Sequence, residues 1–219
     1  MAGLVSTSAA AERLHLSVRQ VRNLATTGDL TQVARGVLDA TSVDRYDAIR
    51  RTGTQAWAPP TAWAAVAILV GQPSPWLDIP QTRRLGRRLH GLTAEQLVER
   101  ARRRSAVTRY SAHRSALPHL TAHLVTPRRE VIGLSTGTGS AVDGYLGVDD
   151  VERLVRDHAL RRDVDGTVAL RSTTMDLDVV RRLATTPVLA ALDLAPSLDP
   201  REREVSLAVL HDALEGLRP

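Results

Sequence analysis

The 219-residue sequence contains no cysteine, no phenylalanine and no lysine. Without cysteine it can build no disulfide, no thiolate zinc site and no cysteine nucleophile. Without lysine it can build neither a Walker-type phosphate loop nor a lysine Schiff base. All 29 basic residues are therefore arginine. Aromatic residues make up only 3%, so a core has to be assembled mainly from Leu, Val and Ala. Long apolar runs are missing too: the longest, Ala62–Val70, falls far short of the ~20 residues that cross a bilayer. Residues Met1–Leu16 lack a basic start, an apolar stretch and a cleavage site, which predicts no secretory leader and a soluble, cytoplasmic chain with no membrane partner.

What is present is ordinary globular material. Hydrophobic residues are 43% and charged residues 24%, enough for a real core and for one large domain or two small ones. The formal charge is +5, but it is unevenly spread. Residues 83–129 hold twelve Arg against two acids, and residues 130–219 hold ten Arg against sixteen acids. Such a basic block attracts a polyanion or an acidic partner, or it pairs with the acidic C-terminal part of its own chain.

The N-terminal fifty residues read as a compact helical unit. Ser6-Thr7-Ser8 offers caps for a short helix over Ala9–Leu14, and Ser17 caps a second over Val18–Ala25. Val18, Val21 and Ala25, with Leu24 alongside, recur at helical spacing and are expected to face inward. That leaves Ser17, Arg19, Gln20, Arg22 and Asn23 on the outer face. Arg pairs bidentately with guanine, Gln and Asn with adenine, and Ser and Arg hold phosphates. Gly28 reads as a left-handed stop. Leu30–Ala34 and Val37–Ala40 read as short strands around an Arg35-Gly36 turn, and Thr41 as the cap of a helix over Ser42–Arg50.

This order, "STSAAAERLHLSVRQVRNLATTGDL", a small hairpin and "TSVDRYDAIR", resembles the winged helix-turn-helix of the excisionase and MerR-like group. The resemblance implies that the second helix enters a DNA major groove and that the hairpin wing follows the backbone. By position, Arg19, Gln20, Arg22 and Asn23 become the groove readers and Arg35 sits at the wing. The wing departs from the group in carrying Val37-Leu38-Asp39 where basic residues are common.

Residues 52–62 hold a Pro pair and little periodicity and are read as a linker between domains 1–51 and 63–219. Beyond it the pattern predicts helices over Ala62–Val70, Gln81–Leu89, Thr93–Arg104, Ala112–Leu124, Val148–Leu160, Leu177–Leu183 and Pro200–Leu217. It predicts strands at Val107–Tyr110, Glu130–Leu134, Val142–Leu146 and Val188–Leu194, and a hairpin at Val164–Val168. The expected fold class is α+β, with an N-terminal winged helix-turn-helix and a larger mixed C-terminal domain.

"RRSAVTRYSAHRSALPHL", "DGYLGVDDVERLVRDHAL", "VDGTVALRST" and "VLAALDLAPSLDPREREVSLAVLHDAL", spread over about residues 100–214, resemble the AbiEi-type antitoxins of type IV toxin–antitoxin systems. The resemblance implies a winged helix-turn-helix joined to an antitoxicity domain without known catalysis. Such a protein represses its own operon and opposes a nucleotidyltransferase-like toxin.

Other constellations carry less chemistry. His119 and His123 share a helical spacing, with His113 nearby, but the glutamate of a zinc-binding HExxH helix is missing, so no metal site is expected. Ser135–Ser140 is Gly-rich but has no Lys and opens no clear helix; a loop between strands is the simpler role. Asp149-Asp150 suits a helix start, Asp163 and Asp165 a turn, and Asp199-Pro200 a capped helix. No cofactor is expected. Arg102, Arg103, Arg104, Arg109 and Arg114 form a possible second basic surface, for nucleic acid or for an acidic protein face. Three functions follow, in order of support: a sequence-specific regulator bound to an operator as a homodimer; a protein-interaction module of a defence or toxin complex; and an enzyme on nucleic acid, for which no spacing of Asp, Glu, His and Arg stands out.

Overall fold

A computed structural model describes residues 3–52, 55–134, 142–163, 165–197 and 199–217. The first unit runs β1 (Leu4–Ser6), α1 (Thr7–Leu14), α2 (Val18–Thr26), β2 (Gln32–Ala34), β3 (Val37–Asp39) and α3 (Ala40–Thr52). Ser6 caps α1 by accepting from the Ala9 amide at 3.1 Å. His15 in the left-handed region ends it. Ser17 then opens α2 through a reciprocal box with Gln20. Gly28, at φ 79°, makes the expected left-handed stop.

β1 pairs antiparallel with β3, and β3 with β2, giving the order β1-β3-β2. The hairpin was legible in the sequence; β1 was not. Ala10, Ala11, Leu14, Val21, Leu30, Leu38 and Val43 form a small core of their own. Two expectations fail here. Val18 is 37% exposed, because the first helical residue has no preceding turn to pack beneath. Thr41 does not cap α3: the buried Asp39 accepts from the Ser42 amide at 2.9 Å, and the Ser42 hydroxyl donates back to the Asp39 carbonyl at 2.7 Å. The apolar and acidic residues of the hairpin thus have structural work, Leu38 in the core and Asp39 at the helix start.

The expected linker is shorter than 52–62, since α3 extends to Thr52 and α4 (Pro59–Leu69) starts at the Pro pair. Trp57 between them is buried, its amide donates to the Arg100 carbonyl at 2.8 Å, and the Arg100 guanidinium lies 5.7 Å from its ring centroid. α4 is buried nearly all round, from Ala62 to Ala67. Around it lie α5 (Ile79–Leu89), α6 (Ala94–Ala101), α9 (Leu177–Ala184), α10 (Pro187–Leu194) and α11 (Pro200–Glu215), which together bury the largest core. Each fully buried Leu there contributes about 2 kcal/mol relative to exposure.

Beside this helical body stands a sheet of four strands in the order β5-β7-β4-β6. Its strands are β4 (Ala106–Ser111), β5 (Val142–Gly147), β6 (Arg161–Arg162) and β7 (Val168–Thr173). β5 and β7 are parallel; β4 runs antiparallel to both β7 and β6. One face packs Tyr110, Val142, Leu146, Val168 and Leu170 against Leu120 of α7 (Leu117–Ala122) and Leu154 of α8 (Val151–Asp157). The other face meets the helical body.

Three sequence expectations are corrected in this half. Val188–Leu194 is helix α10, not a strand: Pro187 starts it, and Ala and Leu, both good helix formers, fill it. Glu130–Leu134 is a 3-10 turn over Arg129–Ile132 ended by Gly133. Its Ile132 and Leu134 pack on Ala190 and Leu194 of α10. The hairpin expected at Val164–Val168 is absent as a pairing, because β4 lies between β6 and β7; Val164 itself falls outside the described residues. Gly166 follows it, and a Cβ there would come 2.2 Å from the Tyr110 carbonyl carbon. Only glycine fits where these two backbones meet. The Gly-rich stretch Ser135–Ser140 also lies outside the described residues.

Candidate nucleic-acid interface

The face of α2 is set by its buried stripe. Val21 is fully buried and Leu24 and Ala25 half buried, which turns Arg19, Gln20, Arg22 and Asn23 to solvent. Arg19 and Arg22 have no ion-pair partner among the described residues. No acid occurs in α2, so their charge is uncompensated on the element that carries it. Ser17 and Gln20 behave differently from their neighbours. The Gln20 amide donates to Ser17 Oγ at 3.2 Å, and Gln20 Oε1 accepts from the Ser17 amide and hydroxyl, both at 2.9 Å. The pair therefore fixes the start of α2, and Gln20 keeps only its NH₂ free for an outside acceptor.

Arg35 is exposed at the β2–β3 turn, beside Gly36 at φ 80°. The Gly36 carbonyl accepts from the Thr7 amide at 2.9 Å, which ties the hairpin turn to the start of α1. Helix pair, hairpin turn and closing helix are thus held as one small body.

The second basic surface does not exist as the sequence suggested. Arg104 is buried, 4% exposed. Its side chain pairs with Asp193, donates to Tyr145 Oη at 3.0 Å and to the Ala101 carbonyl at 3.2 Å. Arg102 pairs with Asp29, just after α2, and lies 3.7 Å from Glu99. Arg103, Arg109 and Arg114 are exposed. Arg103 and Arg114 flank opposite ends of β4, however, roughly 20 Å apart at about 3.3 Å per residue. Arg109 lies between them and donates to the Gly166 carbonyl at 3.4 Å. No single patch gathers the five.

What the sequence concealed is a buried ionic cluster between the sheet and the helical body. Asp193 of α10 receives Arg104, Arg171 at 3.2 Å and the Tyr145 hydroxyl at 2.6 Å, all on Oδ1. Arg171 also grips Asp143 bidentately at 2.6 and 2.8 Å. Arg129 reaches Glu202 of α11 at 3.2 Å. Trp63 of α4 packs edge-on to Tyr145 at 5.4 Å, and its ring N–H donates to the Arg104 carbonyl.

Burial pushes the Tyr145 phenol well above its usual range, reinforced by Asp193 and only partly offset by Arg104, so it stays a hydroxyl donor. Burial would also raise the Asp143 carboxyl, but Arg171, with Arg129 and Arg109, outweighs it and holds Asp143 below the usual carboxylate range. Arginines and carboxylates balance in number across the cluster. Among the described residues Asp193 Oδ2 is buried without a hydrogen-bond partner, and the adjoining cavity of about 20 Å³ has the size of one water molecule. The arrangement clamps the sheet to the helical body. The available signal was the alternation Asp143, Tyr145 and Ala169, Arg171, which puts charge on the inner face of parallel strands.

His119 and His123 are exposed, and the His123 ring lies 5.8 Å from that of His158. Asp163 accepts from the Asp165 amide and Asp199 from the Arg201 amide, both local turn and cap bonds. Among the described residues no helix is long and apolar enough to cross a membrane. Comparison with family models, with curated proteins and with solved structures gives no match.

Proposed function

We propose that the chain is a sequence-specific DNA-binding regulator whose recognition element is α2. The observation that carries the reading is the uncompensated outward face of that helix: Arg19, Arg22 and Asn23 project from it with the donors and acceptors that base edges require. Arg19 and Arg22 read guanine, Asn23 reads adenine, and the exposed Val18 methyls suit a thymine methyl. Ser17 and the free NH₂ of Gln20 stand at the helix start, where a phosphate is favoured. Arg35 on the hairpin turn meets the backbone as a wing does. A unit this small reads only a few base pairs, so the regulator binds as a homodimer on repeated or palindromic half-sites.

The likeness in residues 100–214 extends the reading. The chain acts in the cytoplasm as the antitoxin of a toxin–antitoxin operon, represses that operon, and counters a nucleotidyltransferase-like toxin through its C-terminal part. No catalytic step or cofactor is part of this role.

Gel shifts with the DNA upstream of the chain's own gene test the regulator. Wild type gives a discrete shifted band, and Arg19→Ala/Arg22→Ala loses it. Equal shifts by both proteins, or none by either, remove the recognition helix from the account. Co-purification with the product of a neighbouring gene, together with no shifted duplex, favours the alternative of a protein-interaction module.

A further inference from the structure

Helix α5 carries a basic ridge that neither the DNA reading nor the fold uses. Its buried stripe is Leu85 and Leu89, with Thr82 and Gly86 half buried. Arg83, Arg84, Arg87 and Arg88 are all exposed. At 3.6 residues per turn they occupy one contiguous arc of about 140°. No acidic residue lies within α5. The nearest in sequence, the capping Asp78, is engaged with the Gln81 amide at 2.6 Å. Arg84 makes one bond, through Nε to the Pro80 carbonyl at 3.2 Å, leaving its terminal N–H groups outward. Arg83, Arg87 and Arg88 have no ion-pair partner among the described residues. Among the described residues, no acid of the C-terminal part forms an ion pair with this face.

The pattern is unfavourable for the helix alone. Arg83 with Arg87, and Arg84 with Arg88, are like charges at i and i+4. The helix dipole compensates the two in the last turn but not Arg83 or Arg84. A polyanion relieves all four. No apolar or aromatic side chain lies between the four charges, where a protein interface centres its anchor; the exposed Ile79 stands at the end of the ridge, one turn before Arg83. Evenly spaced phosphates, read without base contacts, are the complementary surface.

We propose that α5 is a second DNA contact, a sequence-independent clamp on the phosphate backbone of a duplex. The choice of duplex DNA rests on the reading of α2; the ridge itself does not. It takes the place of the surface expected at residues 102–114.

Fluorescence anisotropy of the full chain on a labelled duplex of arbitrary sequence, repeated across a salt series, tests it. Each phosphate contact contributes about 0.9 to the slope of log K against log salt. Replacing all four residues by alanine (R83A/R84A/R87A/R88A) is expected to flatten the slope by about 3.6 and to weaken binding at least tenfold. Replacing all four by lysine retains the slope, and circular dichroism shows the alanine variant folded. Arg19→Ala/Arg22→Ala keeps arbitrary-sequence binding largely intact while losing the operator shift. If only that operator effect fails, the α2 reading falls and the clamp stands. An unchanged slope in the folded alanine variant, or no duplex binding by wild type, overturns the clamp. So does selective loss of binding to poly-glutamate with DNA binding unchanged, which makes the ridge a protein-docking face.

Discussion

At Asp193 one carboxylate oxygen serves Arg104, Arg171 and the Tyr145 hydroxyl. Removing that acceptor leaves two buried cations short of a partner, a change that costs about 3–5 kcal/mol. Asp193→Ala should therefore lower stability by that amount in urea unfolding, whereas Tyr145→Phe, which removes a donor to Asp193 and an acceptor for Arg104 while leaving the Arg104–Asp193 pair in place, should cost about 2 kcal/mol. Similar small losses for both would mean that the cluster does not clamp sheet to helices.

Asp143 adds a pH dependence. Its folded pKa is lowered, so its contribution is fully present above the ordinary carboxylate pKa, about 3.9, and disappears as pH falls through the folded value. The urea midpoint should drop between pH 7 and pH 3, and Asp143→Asn should shrink that drop. An identical drop in the variant would contradict the role given to Asp143.

At the scale of elements, local chemistry decides starts and stops. The Ser17–Gln20 box predicts that Ser17→Ala lowers the stability of the N-terminal unit by about 1 kcal/mol, read as earlier loss of helical signal on heating. Gly166→Ala forces a Cβ into the backbone of β4 and should prevent native sheet pairing, seen as loss of protection of the β4 and β7 amides in hydrogen exchange. Retained protection would mean that the close approach is not maintained.

The same scale shows what a reader of the sequence can and cannot see. Amphipathic helices such as α2, α5 and α9 announced themselves through one buried stripe. α10 did not, because burial from Val188 to Leu192 erases the periodicity that separates helix from strand; only Thr186-Pro187 and the Ala/Leu content pointed to the helix. β1 is three residues long and gains its pairing from β3, a partner more than thirty residues away. Arg104 looked like one member of a basic run, and nothing local revealed that Asp193 and Tyr145 would enclose it. The exposed residues of α2 were legible because the stripe that hides Val21 defines the face that remains.

At the scale of the molecule, two bodies differ in what holds them. The N-terminal unit rests on a small core of its own, whereas α4 sits at the centre of the largest one. The Arg102–Asp29 pair joins the turn after α2 to the end of α6. Amides of α1 to α3 should therefore exchange with solvent faster than those of α4 and α10, and Asp29→Ala should widen the gap. Uniform exchange across both would argue for one cooperative body.

The central claim is that the exposed face of α2 chooses a DNA sequence. Selection of binding sites from a pool of randomised duplexes by the full chain tests it most directly. The account predicts that wild type enriches one repeated motif and that Arg19→Ala/Arg22→Ala enriches none. Enrichment of the same motif by both proteins, or of no motif by wild type, would contradict it.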